Sequence, residues 1–134
     1  MDTVNARPST SILVIEDDQA VANLLSFMFT REGMQVICVT DGSLAQHKIN
    51  TLYTPPQLVL LDLILPYVDG FELLRQIRRK PAWRDVPVMV LSAKSQEHDI
   101  IRAFKLGASD YVVKPLQIGE LIARAHHLLD RNAK

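Results

Sequence analysis

The chain has 134 residues, enough for one domain with a substantial core and too few for a second. Lysine plus arginine and aspartate plus glutamate number 15 each, so no excess charge draws it to nucleic acid or to an anionic membrane. The single cysteine, Cys38, excludes an internal disulfide and a cysteine metal cluster; set in an apolar run, it is expected to pack inside a protein of a reducing compartment.

Residues 1–10 are polar, lack the apolar centre of a signal peptide and read as a disordered leader, with one domain over 11–134. No apolar run approaches membrane-spanning length, so a cytoplasmic protein without a membrane partner is expected.

Strand-like runs then alternate with helical periodicities, the pattern of stacked βαβ units. Ile12 to Ile15 reads as a strand followed by Glu16-Asp17-Asp18, and Val21, Leu24, Leu25 and Met28 mark a helix from Gln19 to Glu32 that stops at Gly33. Gln35 to Val39 is a second strand, and Ala45, Ile49 and Leu52 carry a weaker helix ended by Pro55-Pro56. Leu58 to Leu61 is an unbroken apolar run, as expected of a central parallel strand covered on both faces, and Asp62 follows it.

After a loop from Leu63 to Asp69, Gly70 opens a helix with Leu73, Leu74 and Ile77 inside and Arg75, Arg78, Arg79 and Lys80 in water; Pro81 ends it. Val88 to Leu91 is the fourth strand, and Ile100, Ala103 and Phe104 are the expected apolar face of a helix stopping at Gly107. Tyr111 to Val113 is the fifth strand, and the last helix, Ile118 to Arg131, aligns Leu121, Ala125 and Leu128. Right-handed crossovers fold five such strands and five helices into an α/β three-layer sandwich.

Parallel strands would bring their carboxyl ends to one edge, where ligands and chemistry collect in open α/β sheets. That edge would hold Glu16, Asp17 and Asp18 from the first strand, Asp62 from the third, Ser92 from the fourth and Lys114 from the fifth. Carboxylates, a hydroxyl and an ammonium together suit phosphoryl transfer. Mg²⁺ takes one or two carboxylates plus phosphate oxygens, Asp62 would attack phosphorus, Ser92 would donate to a phosphoryl oxygen and Lys114 would face the transferred oxygens. Each residue has a plainer reading: Asp18 as a helix N-cap, Glu16-Asp17 as an acidic turn, Ser92 as a strand-end hydroxyl, Lys114 as solvated surface. Four strand ends pointing to one reaction outweigh those readings for all but Asp18.

Four segments carry a family resemblance from about Ser11 to Arg131: Ile-Leu-Val-Ile-Glu-Asp-Asp at 12–18, Leu-Asp-Leu-Ile-Leu-Pro-Tyr-Val-Asp-Gly at 61–70, Pro-Val-Met-Val-Leu-Ser-Ala at 87–93 and Gly-Ala-Ser-Asp-Tyr-Val-Val-Lys-Pro at 107–115. In this order and spacing the chain resembles the receiver domain of bacterial response regulators, the CheY-like superfamily. The resemblance implies a doubly wound sheet of strand order 2-1-3-4-5 and a phosphoacceptor role for Asp62, supplied by a sensor histidine kinase or phosphotransfer protein. It further implies Asp17 as direct Mg²⁺ ligand with Asp62 and the main-chain carbonyl of Ile64, Glu16 acting through water, Lys114 bridging to the phosphate, Ser92 and Tyr111 as a switch pair, and a cis Lys114-Pro115 bond. Phosphorylation would then bias the face of the fourth helix, fifth strand and fifth helix. Its Arg102, Lys105, Asp110, Glu120 and Arg124 are either register-setting pairs of a homodimer or a solvated surface.

Ser92 stands where threonine is commoner, and Leu116 where an aromatic often follows Lys-Pro. Trp83 reads as packing or a surface contact, and His47, His98, His126 and His127 as solvent-side helix residues. Leu-Ile-Ala-Arg at 121–124 resembles the winged-helix OmpR/PhoB class, and the readings left open are a stand-alone regulator or one whose output, absent from this chain, is a winged-helix DNA-binding domain or a cyclic-dinucleotide enzyme. Two rivals differ in class. A haloacid dehalogenase-like phosphohydrolase would need a second Asp two residues after the nucleophile, where Ile64 stands, and a flavin carrier or phosphate-independent docking module fits poorly with an acidic first loop and a complete residue set.

Overall fold

In the computed structural model, which describes residues 10–132, the five apolar runs are β1 (Ser11–Ile15), β2 (Gln35–Val39), β3 (Leu58–Leu61), β4 (Val88–Ser92) and β5 (Asp110–Val113). They pair in parallel, in the order β2-β1-β3-β4-β5. The intervening helices are α1 (Gln19–Arg31), α2 (Gly42–Thr51), α3 (Gly70–Arg79), α4 (Glu97–Lys105) and α5 (Ile118–Asn132). This is the expected doubly wound α/β sheet, and the strand order reverses between β1 and β3, the crevice that open α/β sheets use for binding. The expected leader lies outside the described residues except for Thr10, whose carbonyl accepts from the Gln35 amide at 2.7 Å.

Alternate residues of the inner strands enter two separate cores, because successive side chains on a strand point to opposite faces. Leu13, Ile15, Val59, Leu61, Val88 and Val90 pack with Ala45, Ile49, Leu73, Leu74, Ile77 and Ala103 of α2, α3 and α4. On the other face Ile12, Val14, Leu58, Leu60, Met89 and Leu91 pack with Leu25 and Phe29 of α1 and Leu121, Ala125 and Leu128 of α5. Every residue of β3 is fully buried, which is why that strand is continuously apolar.

Several expectations about side chains are corrected. On α1 the buried residues are Ala22, Leu25, Met28 and Phe29, while Leu24 is 43% exposed; the helix turns to bury the large Phe29 ring. On α4, Ala103 is buried as expected and Ile100 half-buried, but Phe104 is 46% exposed and Asp99 is buried instead. The small Ala103 sets the line of closest approach, and Asp99, one turn before it, shares that face. Cys38 is exposed rather than packed inside, since β2 is an edge strand; its Sγ lies 3.8 Å from the Ala22 carbonyl, and partial burial pushes its thiol pKa up.

Arg78 does not stay in water. Its Nε and Nη2 donate to the Gly107 carbonyl at 2.9 and 2.7 Å, and its Nη1 to the carbonyls of Val86 and Arg84 at 2.6 and 3.1 Å. Burial lowers its pKa, against the opposing pull of Asp85. Gly107 itself has φ 109°, which a side chain rarely adopts, and a Cβ there would strike the Arg78 side chain. Trp83 is fully buried in the α2/α3 core, so of its two expected readings packing holds. No described helix is long and apolar enough to cross a membrane.

Candidate functional site

The sheet ladder delivers the acidic residues to the switch point. Glu16 continues β1, its amide donating to the Val39 carbonyl at 3.1 Å, and Asp62 continues β3, its amide donating to the Ile15 carbonyl at 2.9 Å. Adjacent strands therefore end side by side. Glu16 is buried and Asp17 exposed, while Asp18 is the α1 N-cap expected of it, accepting from the Ala20 and Val21 amides at 2.9 and 3.3 Å. Carboxylate oxygens of Glu16, Asp17 and Asp62 all lie within 4.8 Å of one another.

Lys114 reaches this cluster from β5, where its amide donates to the Ser92 carbonyl at 2.9 Å and the following Lys114-Pro115 peptide is cis. Its Nζ donates to Glu16 Oε1 at 2.6 Å and to Asp62 Oδ2 at 3.2 Å. Burial by itself would lower the lysine pKa, but the Glu16 hydrogen bond and the Asp62 charge outweigh it and hold the ammonium above its ordinary value. For Glu16, burial pushes the carboxyl up although Lys114 and the Asp18 amide pull it down. One ammonium thus serves two of three crowded carboxylates, and the cluster keeps net negative charge and uncommitted oxygen ligands. Hard oxygen donors with this spacing fit Mg²⁺ or a similar divalent cation.

The loop after Asp62 is held by close backbone approaches. Asp62 Oδ1 accepts from the Ile64 amide at 3.1 Å, and the Gly70 amide donates to the Leu63 carbonyl at 3.0 Å. A side chain on Gly70 would collide with the Asp62 carbonyl, so only glycine can start α3 this near the site. Tyr67 occupies the left-handed region at φ 73° and is 85% exposed on the same loop.

Ser92 is buried at the end of β4, and Tyr111 is half-buried on β5. Sequence reasoning named both but missed the residue between them. Lys94 donates its amide to Ser92 Oγ at 3.2 Å and receives the Tyr111 hydroxyl on its carbonyl at 2.8 Å. No sequence signal marks a main-chain bridge of this kind. The Glu16–Lys114 pair was likewise unforeseen, though its partners lie at strand ends and that position hints at it. The charges of the outer face are partly paired within the chain: Arg124 bonds Asp110 at 3.0 Å and Glu120 at 2.9 Å.

A parallel five-stranded sheet in this order, with a carboxylate cluster and a lysine at its switch point, defines the class. The sequence model of the response regulator receiver domain matches residues 12–126, and the chain belongs to that family. Among solved structures it is similar to the receiver domain of the Francisella response regulator 1452, with 32% identity, TM-score 0.84, and coverage of 92% of this chain and 99% of that one. It is similar to the BeF3-activated N-terminal receiver domain of Klebsiella pneumoniae RstA, with 32% identity, TM-score 0.81, and coverage of 90% and 98%. A third similar structure is the signal receiver domain of a signal transduction histidine kinase from Syntrophus aciditrophicus, with 30% identity, TM-score 0.82, and coverage of 91% of each chain. The protein is thus a receiver domain of two-component signalling, a family that typically binds Mg²⁺, works with histidine kinases or phosphotransfer proteins and is not in general a true enzyme.

Proposed function

We propose that Asp62 is the phosphoacceptor of a cytoplasmic, Mg²⁺-dependent switch. The observation that carries this reading is the position of Asp62: a buried carboxylate with one oxygen 3.2 Å from the Lys114 ammonium and two further carboxylates within 4.8 Å. Asp17, Asp62 and the Ile64 carbonyl, with Glu16 through water, would hold Mg²⁺, which would supply the charge neutralisation that lets a carboxylate approach a phosphoryl group.

An Asp62 oxygen forms the new bond to phosphorus as the bond from phosphorus to a donor histidine nitrogen breaks, and the released imidazole takes a proton from water. Lys114 turns its ammonium from the carboxylates to the new phosphoryl oxygens. Ser92 Oγ donates to another of them and gives up the Lys94 amide, so the Lys94 main chain, whose carbonyl receives the Tyr111 hydroxyl, shifts with it. Ser92 and Tyr111 are in this reading the switch pair, and the face of α4, β5 and α5 is the element biased. A homodimer through that face and a transcriptional output domain extend the proposal. The exposed aliphatic Ile64, where a phosphohydrolase of the haloacid dehalogenase type needs an acid, supports a protein that is modified rather than one that turns over a substrate.

Incubation with Mg²⁺ and acetyl phosphate, followed by intact-mass measurement, tests the assignment. Wild type should gain one phosphoryl group and Asp62→Asn none; equal uptake by the variant, or none by the wild type under kinase as well, refutes it.

A further inference from the structure

Tyr67, five residues after Asp62, sits at the centre of a tight turn. The Val68 amide donates to the Pro66 carbonyl at 2.9 Å, closing a three-residue γ-turn, and Tyr67 between them has φ 73°. This is the rare, strained form of that turn, and Tyr67 is the only described residue other than glycine in the left-handed region. The conformation is imposed from outside the loop. The Pro66 carbonyl also accepts from the Gly42 amide at 3.0 Å, and α2 starts so close to the turn that a Cβ on Gly42 would strike the Val68 carbonyl. Strain of this kind persists where the surroundings over-determine it, and it gathers at functional positions. What it holds here is an aromatic ring in water. Tyr67 is 85% exposed and Ile64 of the same loop 52%, and among the described residues the Tyr67 hydroxyl makes no hydrogen bond. Contacts within the chain therefore do not offset the strain.

We propose that Tyr67 is a specificity-determining residue of the phosphotransfer: with Ile64 it makes an apolar contact with the protein that presents the phosphohistidine, and the γ-turn fixes the ring for that encounter. The proposal rests on Asp62 as the phosphoacceptor. Transfer brings the donor imidazole to bonding distance of Asp62, so the surface of the donor protein covers the loop that begins there. Tyrosine suits such a contact because it buries a large area with little side-chain freedom to lose. A small donor such as acetyl phosphate reaches Asp62 without covering Tyr67. The residue thus separates protein donors from small ones.

The test compares wild type, Tyr67→Gly and Tyr67→Phe with two donors in the presence of Mg²⁺. One is a ³²P-labelled sensor histidine kinase chosen because it phosphorylates the wild type, followed in single turnover over a range of receiver concentrations; the other is acetyl phosphate. With the kinase, Tyr67→Gly should raise the half-saturating concentration about five- to thirtyfold and keep the limiting rate within about twofold, while Tyr67→Phe, which retains the ring, should restore it. With acetyl phosphate all three should react alike. Glycine adopts the left-handed turn without strain, so Tyr67→Gly should unfold at an equal or higher urea concentration, which a structural role for the ring would reverse. An unchanged half-saturating concentration, an equal loss with acetyl phosphate, or a lower urea midpoint in Tyr67→Gly would each overturn the proposal. So would a wild-type dimer that dissociates in Tyr67→Gly, since the ring would then belong to a contact with a second copy of this chain. Phosphorylation of Asp62→Asn by either donor would instead refute the phosphoacceptor reading on which the proposal rests.

Discussion

At the scale of single residues, the site depends on groups held away from water beside partners of opposite charge. Tyr111 shows the effect on titration. Burial is the main cause that raises its phenol pKa, the Asp99 and Asp62 charges add to it, and the Ser92 contact opposes. The folded value then lies above the unfolded value of about 10. As pH rises the unfolded chain loses this proton first, so the stability tied to Tyr111 is complete below about 10 and is lost as pH climbs through the folded pKa. Phenolate absorbance should therefore contain a late step that is missing from Tyr111→Phe. Superimposable normalised curves for the two proteins would show that the hydroxyl is not held as described.

At the scale of elements, Arg78 fastens three segments that no ladder joins. One guanidinium at the end of α3 ties the Gly107 carbonyl, before β5, to the Val86 and Arg84 carbonyls, before β4. Removing it leaves half-buried carbonyls without a donor, and Arg78→Ala should cost about 2–4 kcal/mol in urea unfolding. Arg78→Lys keeps the charge but lacks the planar fork, so it should recover less than half of that loss. A cost within about 0.5 kcal/mol, usual for a surface change, would mean that these bonds are exchanged for water without penalty. The orientation of α4 belongs to the same scale: it buries Ala103 as hydropathy predicts but turns Asp99 inward with it and leaves Ile101 and Phe104 exposed.

For the whole molecule, the switch point and the core are two ends of one cooperative structure, and Trp83 reports on it. It is the only tryptophan, fully buried among residues of α2, α3 and β4, so its emission should shift red on global unfolding. A cation bound only by the native state stabilises it by about 2.7 kcal/mol at hundredfold excess over its dissociation constant. Mg²⁺ should accordingly raise the Trp83-monitored midpoint, chelation should reverse the rise, and Asp17→Asn should abolish most of it. If the midpoint of the variant responds to Mg²⁺ as wild type does, Asp17 is not a principal ligand.

The sequence by itself determined the alternation of strands and helices, the boundaries of β2 and β3, and the gathering of Glu16, Asp17, Asp62, Ser92 and Lys114 at one sheet edge. These follow from local rules: a strand buried on both faces must be apolar throughout, and a polar residue at its carboxyl end must lie at the edge. Only the tertiary structure decided which side of α1 and α4 turns inward, that Lys114 divides its ammonium between Glu16 and Asp62, that the Lys94 main chain links Ser92 to Tyr111 through its amide and carbonyl, and that Arg78 and Asp99 leave the solvent. Periodicity fixes that a helix has an inward face, but the choice among neighbouring faces rests on the volumes opposite it. The partner of a buried charge is likewise set by residues remote along the chain, as with Glu16 and Lys114, which no local pattern encodes.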